Sequence, residues 1–357
     1  MVVEAVKNIK EIKEFNDHRL VLRFEDKKLN LRGFVAIHND NLGPATGGTR
    51  MFPYQNEKEA LVDVLRLSRA MTYKCALAGV RHGGGKAVII GNPGKIKNKE
   101  LLKNYARVIN ELNGRFHTGE DVGISEDDVQ VMLTESKFFI GRKGIAGDPS
   151  PYAALSTFYA IKTGIAEVFG SENLENRSVA IKGIGKVGSE LMRLTLNEGA
   201  KICIADIESA RVDATQKKFP KIKTVDTKDI HRQLVDVLSP CALGNDISQE
   251  NIKEIHARII CGGANNQLTN NEIGDELFQR RILYVPDYVA NAGGLVNVVD
   301  ELEKDDYNRD RVLKRIENIK KTLSTIYLLA KQRNQPPFRI ADKLAEEIFN
   351  GNSHRQS

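Results

Sequence analysis

The sequence predicts an α/β protein of two domains, the second of which is built on a doubly wound parallel sheet. Three observations favour this fold class. The chain has 357 residues, roughly twice the length of a typical domain. In its second half, short apolar runs alternate with amphipathic helical patterns, as in parallel sheets whose strands are joined by helices on both faces. The glycine- and proline-rich segment Gly141–Pro151 interrupts the pattern, so we place the domain boundary between residues 146 and 147.

The first half combines strands of alternating polarity with amphipathic helices. From these patterns we expect strands at Leu20–Leu31, Leu31–His38 and Lys86–Ile90, and helices at Glu57–Met71, Lys99–Leu112 and Glu126–Thr134. Acidic residues fill the first turn of the last helix, where the helix dipole favours negative charge. Ser125, directly before that turn, is therefore a candidate N-cap.

The second half alternates strands and helices more regularly. We expect strands at Ser178–Lys182, Lys201–Ala205, Val235–Leu238, Ala257–Cys261 and Leu283–Val285, and helices at Ala153–Phe169, Val187–Glu198, Arg309–Leu329 and Ile340–Phe349. Residues 147–324 would then form the second domain. We expect the C-terminal helices, over residues 325–357, to pack back on the first domain.

The composition excludes several classes of protein. Lys and Arg number 53 against 47 Asp and Glu, which gives a formal net charge of +6. Because these charges are interleaved, no basic stripe indicates a nucleic-acid partner. No run approaches the roughly 20 apolar residues of a membrane helix, and Met1–Lys13 lacks the pattern of a secretory signal. The four cysteines match no zinc site or redox pair, so we expect reduced thiols and a cytoplasmic protein. They are Cys75, Cys203, Cys241 and Cys261.

A glycine-rich turn in the second half carries a cofactor motif. The turn consists of Gly183, Ile184, Gly185, Lys186, Val187 and Gly188. It follows a predicted strand and precedes a predicted helix, whose N-terminus offers free N–H groups and partial positive charge to a pyrophosphate. Asp206 ends the next predicted strand, where a carboxylate accepts hydrogen bonds from an adenosine ribose. The motif predicts dinucleotide binding, and the Asp206 charge favours NAD over NADP. Arg211 keeps NADP open as the alternative.

Two lysines of the first half occupy unusual positions. Lys74 follows a predicted helix, and Lys86 follows the three glycines Gly83–Gly85. These glycines could be taken for a phosphate loop, but the Walker spacing is absent and Ala87 stands where a Ser or Thr would follow the lysine. Hydrolysis of a nucleoside triphosphate is therefore not expected. Composition alone would place any one lysine on the solvated surface.

Seven stretches in a characteristic order identify a family. They are Gly43–Ala45 with Gly47–Met51, Met71–Lys74, Gly84–Lys86, Glu120–Gly123, Pro240–Gly244, Ala264–Leu268, and Pro286–Tyr288 with Asn291–Gly294. In these stretches, and through almost the whole chain, the sequence resembles the NAD-dependent amino-acid dehydrogenases of the Glu/Leu/Phe/Val type. The resemblance implies an N-terminal α/β substrate domain followed by a Rossmann-type NAD domain. It also implies reversible oxidative deamination, in which an L-amino acid, NAD⁺ and water give a 2-oxo acid, ammonium and NADH. In such a reaction hydride passes directly to the nicotinamide, so no metal ion is expected.

The resemblance assigns roles to individual residues of the first domain. Lys74 is expected to bind the substrate carboxylate, Lys86 to act as general base on water, and Asp121 to exchange a proton with the amino group. Gly47 and Gly48 would let the backbone approach the substrate. Met71 is a further expected substrate contact, and Asn266 would help to hold the substrate or the nicotinamide.

Further residues are expected to contact the cofactor. The resemblance implies this role for Cys241, Ala242 and Asn265. The family usually has a threonine at the start of the helix after the linker, and this chain has Ala153 there. Neighbouring Ser150 is a candidate to make the missing contact with the nicotinamide.

The choice of amino acid should depend on the residues that line the side-chain pocket. Leucine-type members tend to have leucine, alanine and valine at the positions of Thr46, Gly119 and Leu295. Phenylalanine-type members tend to have glycine and leucine at the second and third of these positions, as this chain does. Val298 would complete an apolar lining. We therefore expect an aromatic substrate, with phenylalanine ahead of tryptophan and tyrosine, and a leucine-type or branched-chain specificity as the alternative.

Two other functions are weighed against this one. A catalytically silent nucleotide-binding homologue is disfavoured by the joint presence of Lys74, Lys86 and Asp121. A hydroxy-acid dehydrogenase usually presents a His–carboxylate pair, and His82 and His117 are more easily explained as supporting residues. The family assembles through the first domain, so a homo-oligomer is expected.

Overall fold

The chain divides into two compact units in a computed structural model that describes residues 1–351. The first unit contains Met1–Asp148, Asn297–Arg309 and, at the end of the described chain, residues 345–351. The second contains Pro149–Val296 and Asp310–Leu344. The first break along the chain thus falls between Asp148 and Pro149, just after the expected boundary.

The first unit is built on a mixed sheet of seven strands. The strands are β1 (Val2–Ala5), β2 (Leu20–Asp26), β3 (Leu31–Asn39), β4 (Ala45–Thr46), β5 (Thr49–Phe52), β6 (Gly83–Ile90) and β7 (Phe116–His117). The helices are α1 (Glu57–Leu77), α2 (Pro93–Ile96), α3 (Lys99–Glu111) and α4 (Glu126–Leu133). The sheet order is β1-β2-β3-β6-β4-β7, and β5 also pairs with β6. Strand β6 is therefore central.

Both faces of this sheet are covered. On one face, α1 buries Leu61, Val64 and Leu65 against Phe34 and Val88. On the other face lies a core to which α3 and α4 contribute, and its fully buried members include aromatic rings from helix and strands. These are Phe24, Tyr105, Phe116 and Phe139. The sheet is thus a central layer between two layers of apolar side chains.

Helix starts in this unit follow from local capping. The Asn56 side chain accepts a hydrogen bond from the Glu59 N–H at the start of α1. The predicted cap at Ser125 is confirmed: its Oγ accepts from the Asp128 N–H at 3.3 Å, and the Asp128 carboxylate accepts from the Ser125 N–H at 2.8 Å. This reciprocal arrangement satisfies two backbone donors that have no partner within the helix.

The three glycines before Lys86 lie inside a strand, although the sequence suggested a turn. Strand β6 begins at Gly83, and all three glycines are buried. A Cβ on Gly83 would lie 2.2 Å from the carbonyl oxygen of Asn39, and a Cβ on Gly85 would lie 2.7 Å from the Phe116 ring. The glycines are therefore required by close packing around a central strand, which composition alone does not distinguish from a turn.

Other differences arise at the ends of elements. The run Leu20–Leu31 is a strand only as far as Asp26, after which a short turn leads into β3. Helix α1 continues to Leu77, so Lys74 lies within its last turn. Strand β1 was not predicted. It lies at the sheet edge with most of its residues exposed, so its sequence does not alternate between a buried and a solvated face.

The second unit contains a six-stranded parallel sheet. Its strands are β8 (Ser178–Lys182), β9 (Lys201–Ala205), β10 (Lys223–Thr224), β11 (Val237–Pro240), β12 (Ile259–Ile260) and β13 (Leu283–Tyr284). The order β10-β9-β8-β11-β12-β13 reverses direction at β8. This is the doubly wound order of dinucleotide-binding sheets, so the predicted fold class is confirmed for this unit.

Helices accompany this sheet and continue to the end of the described chain. They are α5 (Ser150–Phe169), α6 (Lys186–Asn197), α7 (Ser209–Lys218), α8 (Asn271–Gln279), α9 (Asp287–Ala290), α10 (Gly293–Val299), α11 (Arg309–Glu317), α12 (Ile319–Arg333) and α13 (Pro337–Phe349). Over residues 1–351, none of the helices has both the length and the apolar character required to cross a bilayer.

The C-terminal helices differ from expectation. The predicted helix Arg309–Leu329 is divided at Asn318 into α11 and α12. Helix α12 packs on α5 within the second unit and buries Leu323 and Ile326 there. Of the described residues in 325–357, only 345–351 join the first unit, because the apolar face of α12 is already covered. The expectation also covered residues 352–357, which lie outside the described residues.

The glycine-rich segment before the boundary is anchored in the first unit. The N–H groups of Gly141, Arg142 and Ala146 donate to the Glu301 carboxylate at 3.2, 2.9 and 3.1 Å. The Glu301 side chain is 1% exposed. Burial raises the pKa of this carboxyl even though the backbone donors oppose the shift. The loop is therefore organised around a buried acid.

Candidate active site

Lys86 and Asp121 form a close ion pair in the first unit. Lys86 lies on β6, and Asp121 lies in the loop after β7, where its carbonyl accepts a hydrogen bond from the Ile124 N–H at 2.9 Å. The Lys86 Nζ is 2.6 Å from the Asp121 Oδ2, and the two side chains are 9% and 19% exposed. An amine and a carboxylate paired in this way, with some access to solvent, are suited to exchange protons with a bound molecule.

The strand register explains the position of Lys86. It is paired with Ala36 of β3, which belongs to the core beneath α1. Because side chains alternate along a strand, Gly84, Lys86 and Val88 share this face. A Cβ on Gly84 would lie 2.0 Å from the backbone nitrogen of Thr72 on α1. Glycine therefore allows the helix to approach the strand directly beside the lysine.

Arg50 of β5 brings a second cation to the same carboxylate. Its Nε lies 3.3 Å from the Asp121 Oδ2. Its Nη1 donates to the Asp63 Oδ2 at 3.1 Å, and the Tyr54 hydroxyl donates to that oxygen at 2.6 Å. Burial by itself would raise the pKa of Asp121, but the charges of Lys86 and Arg50 outweigh it and hold the pKa far below its usual value.

Gly47 and Gly48 lie where backbone segments crowd around this ion pair. A Cβ on Gly47 would lie 2.0 Å from the Gly85 carbonyl oxygen. A Cβ on Gly48 would lie 2.3 Å from the Glu120 carbonyl oxygen and 2.9 Å from the Asp121 Cβ. Any larger residue would displace the segment that carries Asp121. Close packing thus gives a reason for both glycines that is independent of substrate.

Met71 and Lys74 lie on the part of α1 that approaches these strands. The Met71 Cγ is 3.1 Å from the position of a Cβ on Gly47. Lys74 follows about one helical turn later and is half-buried. The first unit therefore brings Lys74 to the same region of α1 as Met71, beside the strand of Lys86.

Thr46 and Gly119 were predicted to line the substrate pocket. Thr46 is fully buried and is in register with Gly84 and His117 on neighbouring strands. It therefore shares the Lys86 face of the sheet. A Cβ on Gly119 would lie 2.6 Å from the Ile140 carbonyl oxygen. Chain packing alone thus accounts for glycine at position 119.

Leu295 and Val298 lie on α10, three residues apart and hence on one side of the helix. Leu295 is 9% exposed and belongs to the second unit. Val298 is half-buried and belongs to the first unit, where its Cγ1 lies 4.0 Å from the position of a Cβ on Gly141.

The glycine turn joins β8 to α6 in the second unit. Gly183 has φ +93°, in the region that favours glycine, and a Cβ there would lie 2.8 Å from the Ala242 nitrogen. A Cβ on Gly188 would lie 1.9 Å from the Gly183 carbonyl oxygen. Gly185 is the N-cap of α6, and no described atom lies within 4 Å of its Cβ position. Open space at the helix N-terminus is what a bound phosphate requires.

Asp206 follows β9 and connects to this turn. Its Oδ2 accepts from the Ile184 N–H at 2.7 Å, and its Oδ1 accepts from the Glu208 N–H at 2.9 Å. The Arg211 Nη1 lies 3.5 Å from the Oδ1, and the Arg211 side chain is 55% exposed, against 5% for Asp206. The carboxylate is therefore fixed by backbone donors, whereas Arg211 extends over it from the surface.

The predicted cofactor residues Cys241 and Ala242 follow β11. Their loop packs on the turn, since a Cβ on Gly188 would lie 3.2 Å from the Cys241 Cβ. The Gly263 N–H donates to the Cys241 Sγ at 3.4 Å. Ala242 is exposed beside Gly183. Ser150 begins α5, with Ala153 half-buried in the first turn.

Asn265 and Asn266 lie exposed in a loop that two buried amides support. The Asn291 Nδ2 donates to the Asn265 Oδ1 at 2.8 Å. The Gln267 Nε2 donates to the carbonyls of Gly262 and Ala264 at 2.8 and 3.0 Å. Asn266 itself has φ +51°. The motif residues therefore include both exposed side chains and the groups that hold them.

Sequence reasoning did not assign several residues that the structure brings to these sites. Arg50, Asp63 and Tyr54 extend the Lys86–Asp121 pair. Arg50 stands between Thr49 and Met51 in a buried strand, and a charged residue there requires a counter-ion. That pattern could have indicated Arg50 from the sequence. Beside the glycine turn, Ile207 and Leu243 are 86% and 81% exposed. Their apolar character immediately after Asp206 and Ala242 was the corresponding signal.

Comparison with known families gives two matches. Residues 18–138 match the family model described as Glu/Leu/Phe/Val dehydrogenase, dimerisation domain. Residues 203–347 match the model described as Glutamate/Leucine/Phenylalanine/Valine dehydrogenase. The two matches together cover more than half of the chain and include both Lys86 with Asp121 and Asp206 with its loop.

Individual relatives extend over nearly the whole chain. The chain is 43% identical to a leucine dehydrogenase of Geobacillus stearothermophilus over 337 residues, covering 94% of this chain and 91% of the relative. It is 41% identical to a phenylalanine dehydrogenase of Thermoactinomyces intermedius, covering 96% and 94%. The crystal structure of L-tryptophan dehydrogenase from Nostoc punctiforme superposes with a TM-score of 0.81 at 38% identity, covering 94% and 96%.

Proposed function

Since the chain belongs to the Glu/Leu/Phe/Val dehydrogenase family and is an amino-acid dehydrogenase, we propose that it uses NAD to deaminate an aromatic L-amino acid reversibly. The products would be the 2-oxo acid, ammonium, NADH and a proton. The contact that carries the proposal is the 2.6 Å ion pair between Lys86 and Asp121. It brings together the two groups that exchange protons in the proposed reaction.

Each residue of the first unit has a defined task in this proposal. Lys74 binds the substrate carboxylate as a fixed cation. Lys86 takes a proton from the water that attacks the substrate iminium carbon, and Asp121 exchanges a proton with the substrate nitrogen. Gly47, Gly48 and Met71 line the substrate. Asn266, in the second unit, is proposed as a further substrate contact.

A nicotinamide dinucleotide is compatible with the second unit. When bound, it would accept a hydride from the substrate α-carbon. The open space beside Gly185 would receive the pyrophosphate, and Asp206 would accept hydrogen bonds from the ribose. Ile207 and Leu243 offer exposed apolar surface for the adenine. The remaining proposed contacts are Gly183, Ile184, Lys186, Val187, Gly188, Cys241, Ala242, Asn265 and Ser150.

The preference for NAD over NADP depends on the charge of Asp206. In the Asp206→Asn variant, we expect the ratio of kcat/KM for NADP to that for NAD to rise by about tenfold, because repulsion of the 2′-phosphate is removed and the ribose loses a charged acceptor. Steady-state kinetics with both cofactors measure this ratio. Glu208→Gln removes a neighbouring exposed carboxylate and is the control, with the ratio unchanged. An Asp206→Asn ratio equal to wild type would contradict the assignment.

The preference for an aromatic side chain is proposed from Thr46, Gly119, Leu295 and Val298. Thr46 is shorter than leucine, and the phenylalanine-type pair Gly119 and Leu295 is present. The relatives include leucine and phenylalanine dehydrogenases at similar identity, so leucine is the second candidate. Packing against the Ile140 carbonyl already requires glycine at position 119, so Gly119 supports the aromatic preference less than the other three residues do.

A panel of substrates tests both the activity and the preference. Purified protein should reduce NAD⁺ with an L-amino acid, and kcat/KM for phenylalanine should exceed that for leucine and valine by about tenfold, the discrimination typical of an apolar pocket. Tyrosine and tryptophan complete the panel. The initial rate of NADH formation is the measurement. A leucine value above all three aromatic values would refute the preference, and no turnover with any member would refute the proposed reaction.

We also propose a homo-oligomer that assembles through the first unit. The match of residues 18–138 to a model described as a dimerisation domain supports this proposal. Four free cysteines, three of them buried, support the proposed cytoplasmic location.

A further inference from the structure

Arg50 touches the carboxylate that Lys86 also touches. Both cations contact the same oxygen, Asp121 Oδ2, the lysine at 2.6 Å and the arginine at 3.3 Å. The side chains of Arg50 and Asp121 are 22% and 19% exposed. Because screening is weaker in such a half-buried site than at the surface, the guanidinium has a substantial effect on the charge of its neighbours.

Arg50 is held in place from its other side. Its register partner on β6 is Val88, so its side chain lies on the same face as that of Lys86. Asp63 on α1 accepts from its Nη1 at 3.1 Å and also accepts from the Tyr54 hydroxyl at 2.6 Å. The cation is therefore anchored to a helix and cannot follow Asp121 freely.

The two cations differ in what the reaction does to them. In the proposed function, Lys86 releases the proton of its ion pair with Asp121 to solvent before it acts as base. It then takes a proton from the attacking water as the C–O bond forms, and becomes an ammonium ion again. Its charge therefore changes within each cycle. A guanidinium does not lose its proton under these conditions, so Arg50 supplies a constant positive charge next to Asp121.

We propose that Arg50 is a positioning residue of the catalytic site, which keeps Asp121 a carboxylate in a fixed orientation while Lys86 changes charge. This inference rests on the proposed function, since it requires Lys86 and Asp121 to exchange protons. It predicts that Arg50 acts on the pH dependence of the reaction as well as on its rate. Asp63 and Tyr54 act through Arg50.

The Arg50→Gln variant tests the inference through its pH–rate profile. Removing a fixed cation stabilises the protonated form of every acid nearby, so the acid limb of kcat and kcat/KM moves to higher pH, whichever group controls that limb. We expect a displacement of about one pH unit and a fall in kcat of about tenfold or more at neutral pH. The expected NADH dissociation constant is that of wild type. Arg50→Lys retains a cation, so its acid limb should lie close to the wild-type pH.

Arg23→Gln is the matched control. Arg23 is similarly half-buried, at 25% exposed, and pairs with Glu25 and Glu57 at 3.1 Å on β2 and α1. Its loss should lower the thermal unfolding temperature without moving the acid limb. If Arg50→Gln does not fold, the double variant Arg50→Gln/Asp63→Asn removes the pair together and leaves no unpaired Asp63 carboxylate.

The outcomes separate this inference from the proposed function. A folded Arg50 variant that binds NADH and shows the wild-type acid limb overturns the role of Arg50, as does a shift of equal size in Arg23→Gln. Absence of turnover in the wild-type enzyme would instead overturn the proposed function. An acid limb displaced in Arg50→Gln, or in the double variant where the single variant does not fold, and restored by Arg50→Lys supports the inference.

Discussion

Replacing Lys86 with alanine should lower kcat by about 10³-fold or more, because positioned acid–base groups contribute on the order of 10²–10⁴ in rate and this lysine would be the base. The NADH dissociation constant should stay close to that of wild type, since the cofactor motif lies in the other unit. The protein should also remain folded, because Arg50 still neutralises Asp121 from 3.3 Å. Stopped-flow and steady-state rates, with NADH fluorescence titration, measure these quantities.

Two variants separate the base from its charge. Lys86→Arg retains a cation beside Asp121 but has no proton acceptor at working pH, so it should be as inactive as Lys86→Ala. Lys162→Ala removes a comparable ion pair, in which Nζ lies 2.7 Å from Glu198 and the lysine is 18% exposed. That control should lose some stability and keep its kcat. Near-normal turnover in Lys86→Ala, or rescue by arginine, would exclude the role of base.

The cofactor turn was predicted from the sequence, because its residues lie close together along the chain. The turn Gly183–Gly188 and Asp206 lie in one β–α–β unit, so the spacing of the glycines and the acid indicates their geometry directly. The structure places Ile184 N–H against Asp206, as this geometry requires. Five of the six strands of the second unit were also predicted, with errors at their ends. Strand β10 and helices α7, α8, α9 and α10 were not predicted, and the predicted helix Arg309–Leu329 is divided into α11 and α12.

The part that depends on contacts between distant residues was not predicted. Arg50 reaches Asp121 and Asp63 because β5, α1 and the loop after β7 meet in the folded unit, and no periodicity encodes such a meeting. The same holds for Gly84, where the close approach of Thr72 leaves no room for a Cβ. From sequence, three glycines in a row are more typical of a turn. Residue resemblance identified Lys86 and Asp121, but only the structure gives their distance.

The glycines of the cofactor turn should fail in two different ways. A methyl group on Gly188 would lie 1.9 Å from the Gly183 carbonyl oxygen, so Gly188→Ala must open the turn. We expect the free energy of unfolding to fall by about 3 kcal/mol, the upper range for forced overpacking, and NADH affinity to fall by about 100-fold or more as the backbone donors move apart. Urea denaturation and NADH fluorescence titration measure the two effects.

Gly185→Ala isolates binding from stability. No described atom lies within 4 Å of this Cβ position, and an N-cap change from glycine to alanine costs less than about 1 kcal/mol. The variant should therefore unfold at nearly the wild-type urea concentration. Its methyl group would nevertheless enter the space proposed for the pyrophosphate, so NADH affinity should fall by about tenfold. Wild-type affinity in Gly185→Ala would mean that the cofactor does not approach α6 there, whereas a stability loss equal to that of Gly188→Ala would mean that the turn is packed differently.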